Sequence, residues 1–160
     1  RERVIDKSTA YIMTSLLESV VKEGTGKRVK ALNRPVAGKT GTTNDLQDAW
    51  FVGYTPRFIS GVWVGYDNGQ TLGKGETGSR TASPIWLGFM DRVLKDKPVR
   101  MFQVPEGVVF AKIDAETGLL PIPESRKTLF ECFKEGSVPT EYAKKPDTIV
   151  DAESFFKSDM

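Results

Sequence analysis

The chain has 160 residues, of which 39% are hydrophobic, so it has the size of one domain and can bury a core. Its 23 basic and 21 acidic residues leave a net charge of +2, which indicates no polyanionic partner, and we expect no nucleic-acid site. It contains no histidine and one cysteine, Cys132, which excludes Ser-His-Asp and Cys-His catalysis, an internal disulfide and a thiolate metal cluster within this chain.

The first predicted element is an amphipathic helix over residues 6–23. Apolar residues recur there at spacings of three and four from Ile12 to Val21, as on one helix face. Asp6 or Ser8 is suited to cap its first turn. No apolar run in the chain approaches the ~20 residues that a membrane helix needs, so no membrane segment is predicted.

Three strands are predicted next, over residues 36–43, 48–54 and 58–66. The second and third are dense in aromatic and β-branched residues, which favour strands. The short link Thr55-Pro56-Arg57 predicts that these two pair as an antiparallel hairpin.

A closing helix is predicted from Ser83-Pro84, the pattern of an N-cap followed by a first-turn proline, to about Lys97. Its predicted buried stripe consists of Ile85, Phe89, Met90, Val93 and Leu94. Helix, three antiparallel strands and helix form an α+β layer in which both helices cover one face of the sheet.

Frequent prolines after Pro98 predict an irregular C-terminal extension with a small hairpin around residues 114–118. The polar end, from about Ala143, is predicted to be flexible. The sequence therefore predicts two parts, residues 1–98 and residues 99–160.

The candidate site is the first strand, which contains Lys39, Thr40, Gly41, Thr42 and Thr43. A P-loop would need a glycine where Asn33 stands, and a helix rather than a hairpin should follow. A glycine inside a strand usually marks close approach of a ligand or backbone, so the strand is interpreted as an edge on which a peptide substrate pairs.

Each residue type in this strand suits that task. Strand alternation puts Lys39 and Gly41 on one side and Thr40 and Thr42 on the other, although a twisted or bulged edge would let all four line one cleft. Lys39 offers a compact positive charge, and the threonine hydroxyls offer donors to a carboxylate. The backbone N–H of Thr42 is predicted to face a developing oxyanion.

A wider pattern surrounds this strand. It runs through RPVAGKTGTTND (residues 34–45), DAWFVGYTP (residues 48–56) and GVWVGYD (residues 61–67). Over about residues 5–97 the chain resembles the transpeptidase domain of class A penicillin-binding proteins, the bifunctional cell-wall synthases. The resemblance implies the C-terminal half of the serine β-lactamase/penicillin-binding transpeptidase fold.

The resemblance also implies a function and a location. The parent protein would be a serine-type D-Ala-D-Ala transpeptidase with an upstream glycosyltransferase domain, on the periplasmic face of the cytoplasmic membrane and anchored through another segment. Its partners would be peptidoglycan stem peptides, β-lactam antibiotics and the upstream half of the same domain. It implies no cofactor and no metal.

The family uses three motifs in order, Ser-x-x-Lys, Ser-x-Asn and Lys-Thr-Gly. Only the third is present in its setting, at Lys39-Thr40-Gly41. The Ser-x-x-Lys match at residues 154–157 follows the third motif and is interpreted as chance. The resemblance implies that the nucleophile precedes Arg1, so the chain alone is expected to be inactive.

Two alternatives remain open from the sequence. A serine β-lactamase or penicillin-sensing domain has the same fold and third motif. A non-catalytic module that binds wall peptides would use the strand only to hold them.

Overall fold

The computed structural model describes residues 2–145 of the chain. The contacts between residues divide the chain into two units, the first ending at Glu106 and the second beginning at Gly107. The first unit consists of two helices and a three-stranded sheet: α1 (Lys7–Lys22), β1 (Ala37–Thr42), β2 (Asp48–Tyr54), β3 (Ile59–Gly65) and α2 (Ser83–Leu94). Short 3₁₀ turns lie at Lys27–Leu32 and Asn44–Leu46, and a π-helical turn over Gly78–Ala82 leads into α2.

The start of α1 is fixed by a capping residue directly before it. Asp6 is the N-cap, and its carboxylate accepts a hydrogen bond of 2.7 Å from the backbone N–H of Thr9. This satisfies one of the N–H groups that a helix leaves unpaired at its start. Asp6 is thus the cap rather than Ser8, and the helix prediction is confirmed within one residue at each end.

The sheet has the order β1-β2-β3, and both pairs are antiparallel. In the first pair Ala37 lies opposite Tyr54 and Thr42 opposite Ala49. The β2–β3 hairpin closes where Thr55 donates its backbone N–H to the carbonyl of Phe58, at 2.8 Å. The predicted hairpin is therefore confirmed.

One face of the sheet carries the core, to which α2 contributes three buried apolar residues and α1 contributes Val21. Phe51 of β2 meets Trp86 of α2 edge to face, with ring centroids 5.1 Å apart, and neither side chain is exposed. The Trp86 indole N–H donates to the carbonyl of Ser60 at 3.0 Å, so its polar atom is satisfied in the core. The remaining core residues include Val21, Val29, Leu32, Val36, Ala49, Ala82, Met90 and Leu94.

The predicted start and buried stripe of α2 are partly wrong. Ser83 is not the N-cap: it is fully buried, and its hydroxyl donates back to the carbonyl of Ser79 at 2.6 Å. Ile85 and Phe89, predicted to be buried, are 52% and 50% exposed. Met90 and Leu94 are buried as predicted, and Trp86, which the predicted stripe does not include, is fully buried beside them.

Within residues 2–145, the opposite face of the sheet exposes apolar side chains on β2 and β3. Trp50, Val52 and Trp63 are each more than two-fifths exposed there. The two tryptophan rings lie 6.3 Å apart between centroids. Exposed apolar side chains that lie this close together are typical of a surface that contacts another part of a protein or a ligand.

The second unit contains a two-stranded antiparallel sheet of β4 (Val108–Asp114) and β5 (Thr128–Lys134). It is more regular than the irregular extension that the sequence predicts, because each strand has seven paired residues. Residues 114–118 form a turn that follows β4 rather than a small hairpin of their own, with Asp114 as its hydrogen-bonding centre. Cys132 is buried in β5.

No helix within residues 2–145 is long and apolar enough to cross a membrane. The end predicted to be flexible lies largely outside the described residues, as does the Ser-x-x-Lys match at residues 154–157.

Candidate substrate-binding strand

The outer edge of β1 has no strand partner within the described part of the chain. The backbone N–H of Thr43 donates to the carbonyl of Asp48 at 3.1 Å, so the backbone of Thr43 points towards β2. Backbone groups alternate in direction along an antiparallel strand, so those of Thr40 and Thr42 point away from β2. Two residues of the candidate site therefore present main-chain donors and acceptors at an open edge.

The side chains of the candidate site lie on two faces, in agreement with the predicted alternation. Lys39 and Gly41 stand opposite Val52 and Trp50 and share the open face with them. The side chains of Thr40 and Thr42 lie on the face that α2 covers, because their cross-strand partners, Phe51 and Ala49, are core residues. The two pairs share the outer edge of β1 rather than one face.

Lys39 is exposed and lies close to the open edge. Its Nζ donates to the carbonyl of Thr40 at 3.0 Å. Within residues 2–145 no carboxylate forms an ion pair with this ammonium group. Its charge is therefore available to an anionic ligand at the edge.

Thr40 and Thr42 already have partners within the fold. The hydroxyl of Thr40 lies 2.7 Å from that of Thr25, in the loop after α1. The hydroxyl of Thr42 accepts from the backbone N–H of Gly78 at 3.1 Å. Each hydroxyl has one donor and two acceptor positions. With respect to residues 2–145, the Thr42 proton and one proton of the Thr40–Thr25 pair therefore remain free to bind an oxygen of a ligand.

Thr43 holds the connection between β1 and β2. Its hydroxyl accepts from the backbone N–H of Asp48 at 2.8 Å and donates to the carboxylate of Asp48 at 3.3 Å. The other carboxylate oxygen accepts from the indole N–H of Trp63 at 2.8 Å. Asp45 and Leu46 complete this connection with left-handed backbone angles.

Two glycines allow the backbone to pack closely at the middle of the site. A Cβ on Gly41 would lie 3.1 Å from the Cβ of Trp50. A Cβ on Gly78 would lie 2.5 Å from the carbonyl oxygen of Gly41 and closer still to that of Trp50. The segment around Gly78 therefore rests directly on the β1–β2 pair, and only glycine fits.

Sequence reasoning does not identify Gly78 or Thr25 as neighbours of the site. In the sequence, Gly78 belongs to the connection before the closing helix, and Thr25 to a loop between two glycines. Neither residue shows a periodic signal that would bring it to β1.

Comparisons with known proteins agree on one family. A family model for the penicillin-binding protein transpeptidase domain matches residues 1–91. A second model, for the C-terminal domain of penicillin-binding protein 1A, matches residues 104–148.

Individual relatives give the same result. Penicillin-binding protein 1A of Pseudomonas aeruginosa is 47% identical over 146 residues, which cover 91% of this chain and 18% of that protein. Penicillin-binding protein 1A of Aquifex aeolicus is 46% identical over 138 residues, which cover 86% of this chain and 19% of that protein. The chain thus spans less than a fifth of the length of these relatives.

A solved structure extends the match to the fold. The crystal structure of penicillin-binding protein 1A from Haemophilus influenzae superimposes with a TM-score of 0.79 at 34% identity, over 89% of this chain and 22% of that chain. The first family model alone covers more than half of the 160 residues. The chain therefore belongs to the class A penicillin-binding protein family, and its residues 1–91 match part of the transpeptidase domain.

Proposed function

We propose that this chain forms the substrate-binding half of a peptidoglycan D,D-transpeptidase that crosslinks stem peptides by serine acyl transfer. In the parent protein a serine attacks the carbonyl between the two terminal D-alanines and forms an ester, while the last D-alanine leaves with the proton on its amine. An amine of a neighbouring stem peptide then attacks the ester and restores the serine. β-Lactams acylate the same serine.

The observation that carries this proposal is the open edge of β1. The outward backbone groups of Thr40 and Thr42 are suited to pair with an extended peptide as an added strand. Lys39, which has no carboxylate partner within residues 2–145, supplies a positive charge beside that edge.

Each residue of the strand has a role in the proposal. Lys39 keeps the site electropositive, and the free protons of Thr40 and Thr42 bind the terminal carboxylate of the substrate or of a β-lactam. The backbone N–H of Thr42 binds the oxyanion, a contact of a kind that contributes roughly 3–4 kcal/mol to lowering a barrier. Gly41 lets the peptide approach, and Thr43 ends the binding strand.

The remaining components come from outside this chain. We propose that the nucleophilic serine, its lysine and the second motif belong to the upstream half of the same domain, so that the chain alone is inactive. Residues 1–98 then belong to the transpeptidase domain, and residues 99–160 form an extension. Because stem peptides are crosslinked outside the cytoplasm, the enzyme acts on the periplasmic side of the membrane and is held there by another segment.

The proposal is tested by acylation of the full-length protein that contains this chain. Intact mass is followed after addition of benzylpenicillin, for the wild type, for Lys39→Ala and for the matched exposed-lysine variant Lys27→Ala. We expect one adduct that persists for hours in the wild type and in Lys27→Ala, and no adduct on that time scale in Lys39→Ala.

The other outcomes separate the alternatives. A short-lived adduct with turnover of benzylpenicillin indicates a β-lactamase. A folded protein that forms neither adduct nor product contradicts acyl transfer and favours a module that binds wall peptides.

A further inference from the structure

A cavity of about 270 Å³ lies in the first unit, away from the candidate strand. It is formed where the β2–β3 turn meets the segment that follows α2. Four of its lining residues are cationic and none is acidic; the cations are Arg34, Arg57, Lys97 and Arg100.

The cavity and the candidate site lie at opposite ends of β1. Thr55 lines the cavity and directly follows Tyr54, which pairs with Ala37 at the start of β1. Thr42 is the last residue of the strand. Along an extended chain Ala37 is ~7 Å from Lys39 and ~17 Å from Thr42, and none of the residues that line the cavity belongs to the candidate site.

The fold holds two of the cations in place. Arg34 is half-buried, and its guanidinium donates to the carbonyl of Leu94 at 2.8 Å. This contact covers a carbonyl at the negative end of α2, which would otherwise repel an anion. The Lys97 ammonium lies over the ring of Phe58, 5.7 Å from its centroid, which orients it without neutralising it.

The four charges have no counter-ion in the described part of the chain. None of them forms an ion pair within residues 2–145. Because the whole chain has a net charge of only +2, four cations around one cavity are a strong local excess. Like charges held together raise the energy of the empty site, and a bound anion relieves this repulsion.

We propose that this cavity binds the phosphate group of a phosphate ester. Three guanidinium groups offer planar pairs of donors, which match the oxygens of a phosphate in bidentate geometry. A phosphate monoester carries up to two negative charges and three acceptor oxygens, so it engages several of these cations at once, unlike a single carboxylate. Apolar groups of Pro35, Phe58 and Leu94 line the same cavity and contact the carbon part of the ester.

Two sources provide this chemistry, a soluble phosphate ester and a phospholipid headgroup. The full-length protein is titrated calorimetrically with glycerol 3-phosphate in phosphate-free buffer, and separately with vesicles that contain phosphatidic acid, whose headgroup is a phosphate monoester. The test variant is Arg57→Gln/Arg100→Gln, which leaves the Arg34–Leu94 contact intact. The matched control is Arg28→Gln/Lys30→Gln, which removes the same charge from exposed positions outside the cavity.

We expect the Arg57/Arg100 variant to bind about tenfold more weakly or worse, since each charge-assisted hydrogen bond contributes at least the ~1.4 kcal/mol that corresponds to a factor of ten. The control should bind like the wild type. The Arg57/Arg100 variant and the control variant should both bind benzylpenicillin as the wild type does, which shows that the domain is folded. Binding of glycerol 3-phosphate identifies a soluble ester, and variant-sensitive binding of vesicles alone identifies a headgroup.

Two results would overturn the proposal. One is the absence of binding to either probe in the wild type. The other is an equal loss of affinity in the two double variants, which would mean that the probes sense net charge rather than the cavity.

Discussion

The hydroxyl of Thr42 accepts a hydrogen bond from the backbone N–H of Gly78, with 3.1 Å between Thr42 Oγ1 and Gly78 N. This bond joins the end of β1 to the turn before α2, 36 residues later in the chain. Gly78 is buried against the backbone of Gly41 and Trp50. The position of the candidate strand thus depends on a segment that no local pattern associates with it.

The first prediction concerns that close contact. Replacing Gly78 with alanine puts a Cβ 2.5 Å from the carbonyl oxygen of Gly41, so the turn or the strand must move. We expect a loss of about 1–3 kcal/mol or more of stability, as for overpacked cores, together with slower acylation by benzylpenicillin. The measurement is the fraction of full-length protein that still binds a fluorescent penicillin after heating.

Gly88→Ala is the matched control for this change. A Cβ at Gly88, inside α2, has no neighbour within 4 Å. Alanine is the better helix former by roughly 0.5–1 kcal/mol, so this variant should be at least as stable as the wild type. Equal heat sensitivity of the two variants would contradict the contact at Gly78.

The second prediction separates two roles of the Thr40 hydroxyl. Thr40→Val removes the group that is proposed to bind the substrate carboxylate, whereas Thr25→Val removes only its 2.7 Å partner. A hydrogen bond to a charged group contributes about 1.5–3 kcal/mol, so Thr40→Val should slow acylation about tenfold or more. Thr25→Val should slow it only a few-fold, and Thr40→Ser should restore most of the rate.

The measurement is the second-order rate constant for acylation by benzylpenicillin. If Thr25→Val is as slow as Thr40→Val, the hydroxyl pair acts by holding the loop to the strand. The proposed carboxylate contact of Thr40 would then be wrong.

Elements fixed by local chemistry are predictable from the sequence. The predicted bounds of β2 match the observed ones, because its aromatic and β-branched residues are bounded by short polar connections. The alternation of side chains along a strand likewise predicts the separate faces of Lys39 and Thr40, and the register of β1 with β2 agrees with it.

Features fixed by distant contacts are not predictable in this way. Ile85 and Trp86 are adjacent apolar residues, and which of them enters the core depends on how α2 is rotated about its own axis. The Gly78–Thr42 and Thr25–Thr40 bonds join segments whose spacing has no periodicity. A single sequence contains no signal that pairs such segments.

The third prediction tests the core that supports β2. Trp86 is fully buried against Phe51 and donates to the carbonyl of Ser60. Trp86→Ala should cost about 3–5 kcal/mol, because it removes the largest fully buried side chain within residues 2–145 and leaves a cavity. The measurement is the fraction of full-length protein that still binds a fluorescent penicillin after heating.

Trp86→Phe is the graded control for the core prediction. It keeps an aromatic ring opposite Phe51 and loses the indole N–H, so it should lie between the wild type and Trp86→Ala. If Trp86→Ala is as stable as Trp86→Phe, the packing of Trp86 against Phe51 does not support the fold.

The last prediction concerns acid and the second unit. The Asp114 carboxylate is held by the hydroxyl of Ser125, the backbone N–H and hydroxyl of Thr117 and the backbone N–H of Glu116, and these donors lower its pKa from 3.8 to about 2. Because the pKa is lower in the folded state than in the unfolded state, the ionised carboxylate stabilises the fold. That stabilisation is complete above about pH 4 and is lost as the pH falls towards 2.

Hydrogen exchange of the amides of β4 and β5, corrected for intrinsic rates, measures this loss between pH 5 and pH 2. Asp114→Asn keeps an acceptor oxygen but has no charge to lose, so its protection should depend less on pH over this range than that of the wild type. Glu135→Gln, a carboxylate-to-amide change at an exposed position after β5, should retain the wild-type dependence. If Asp114→Asn and the wild type lose protection in parallel, the turn at Asp114 does not control the acid stability of this unit.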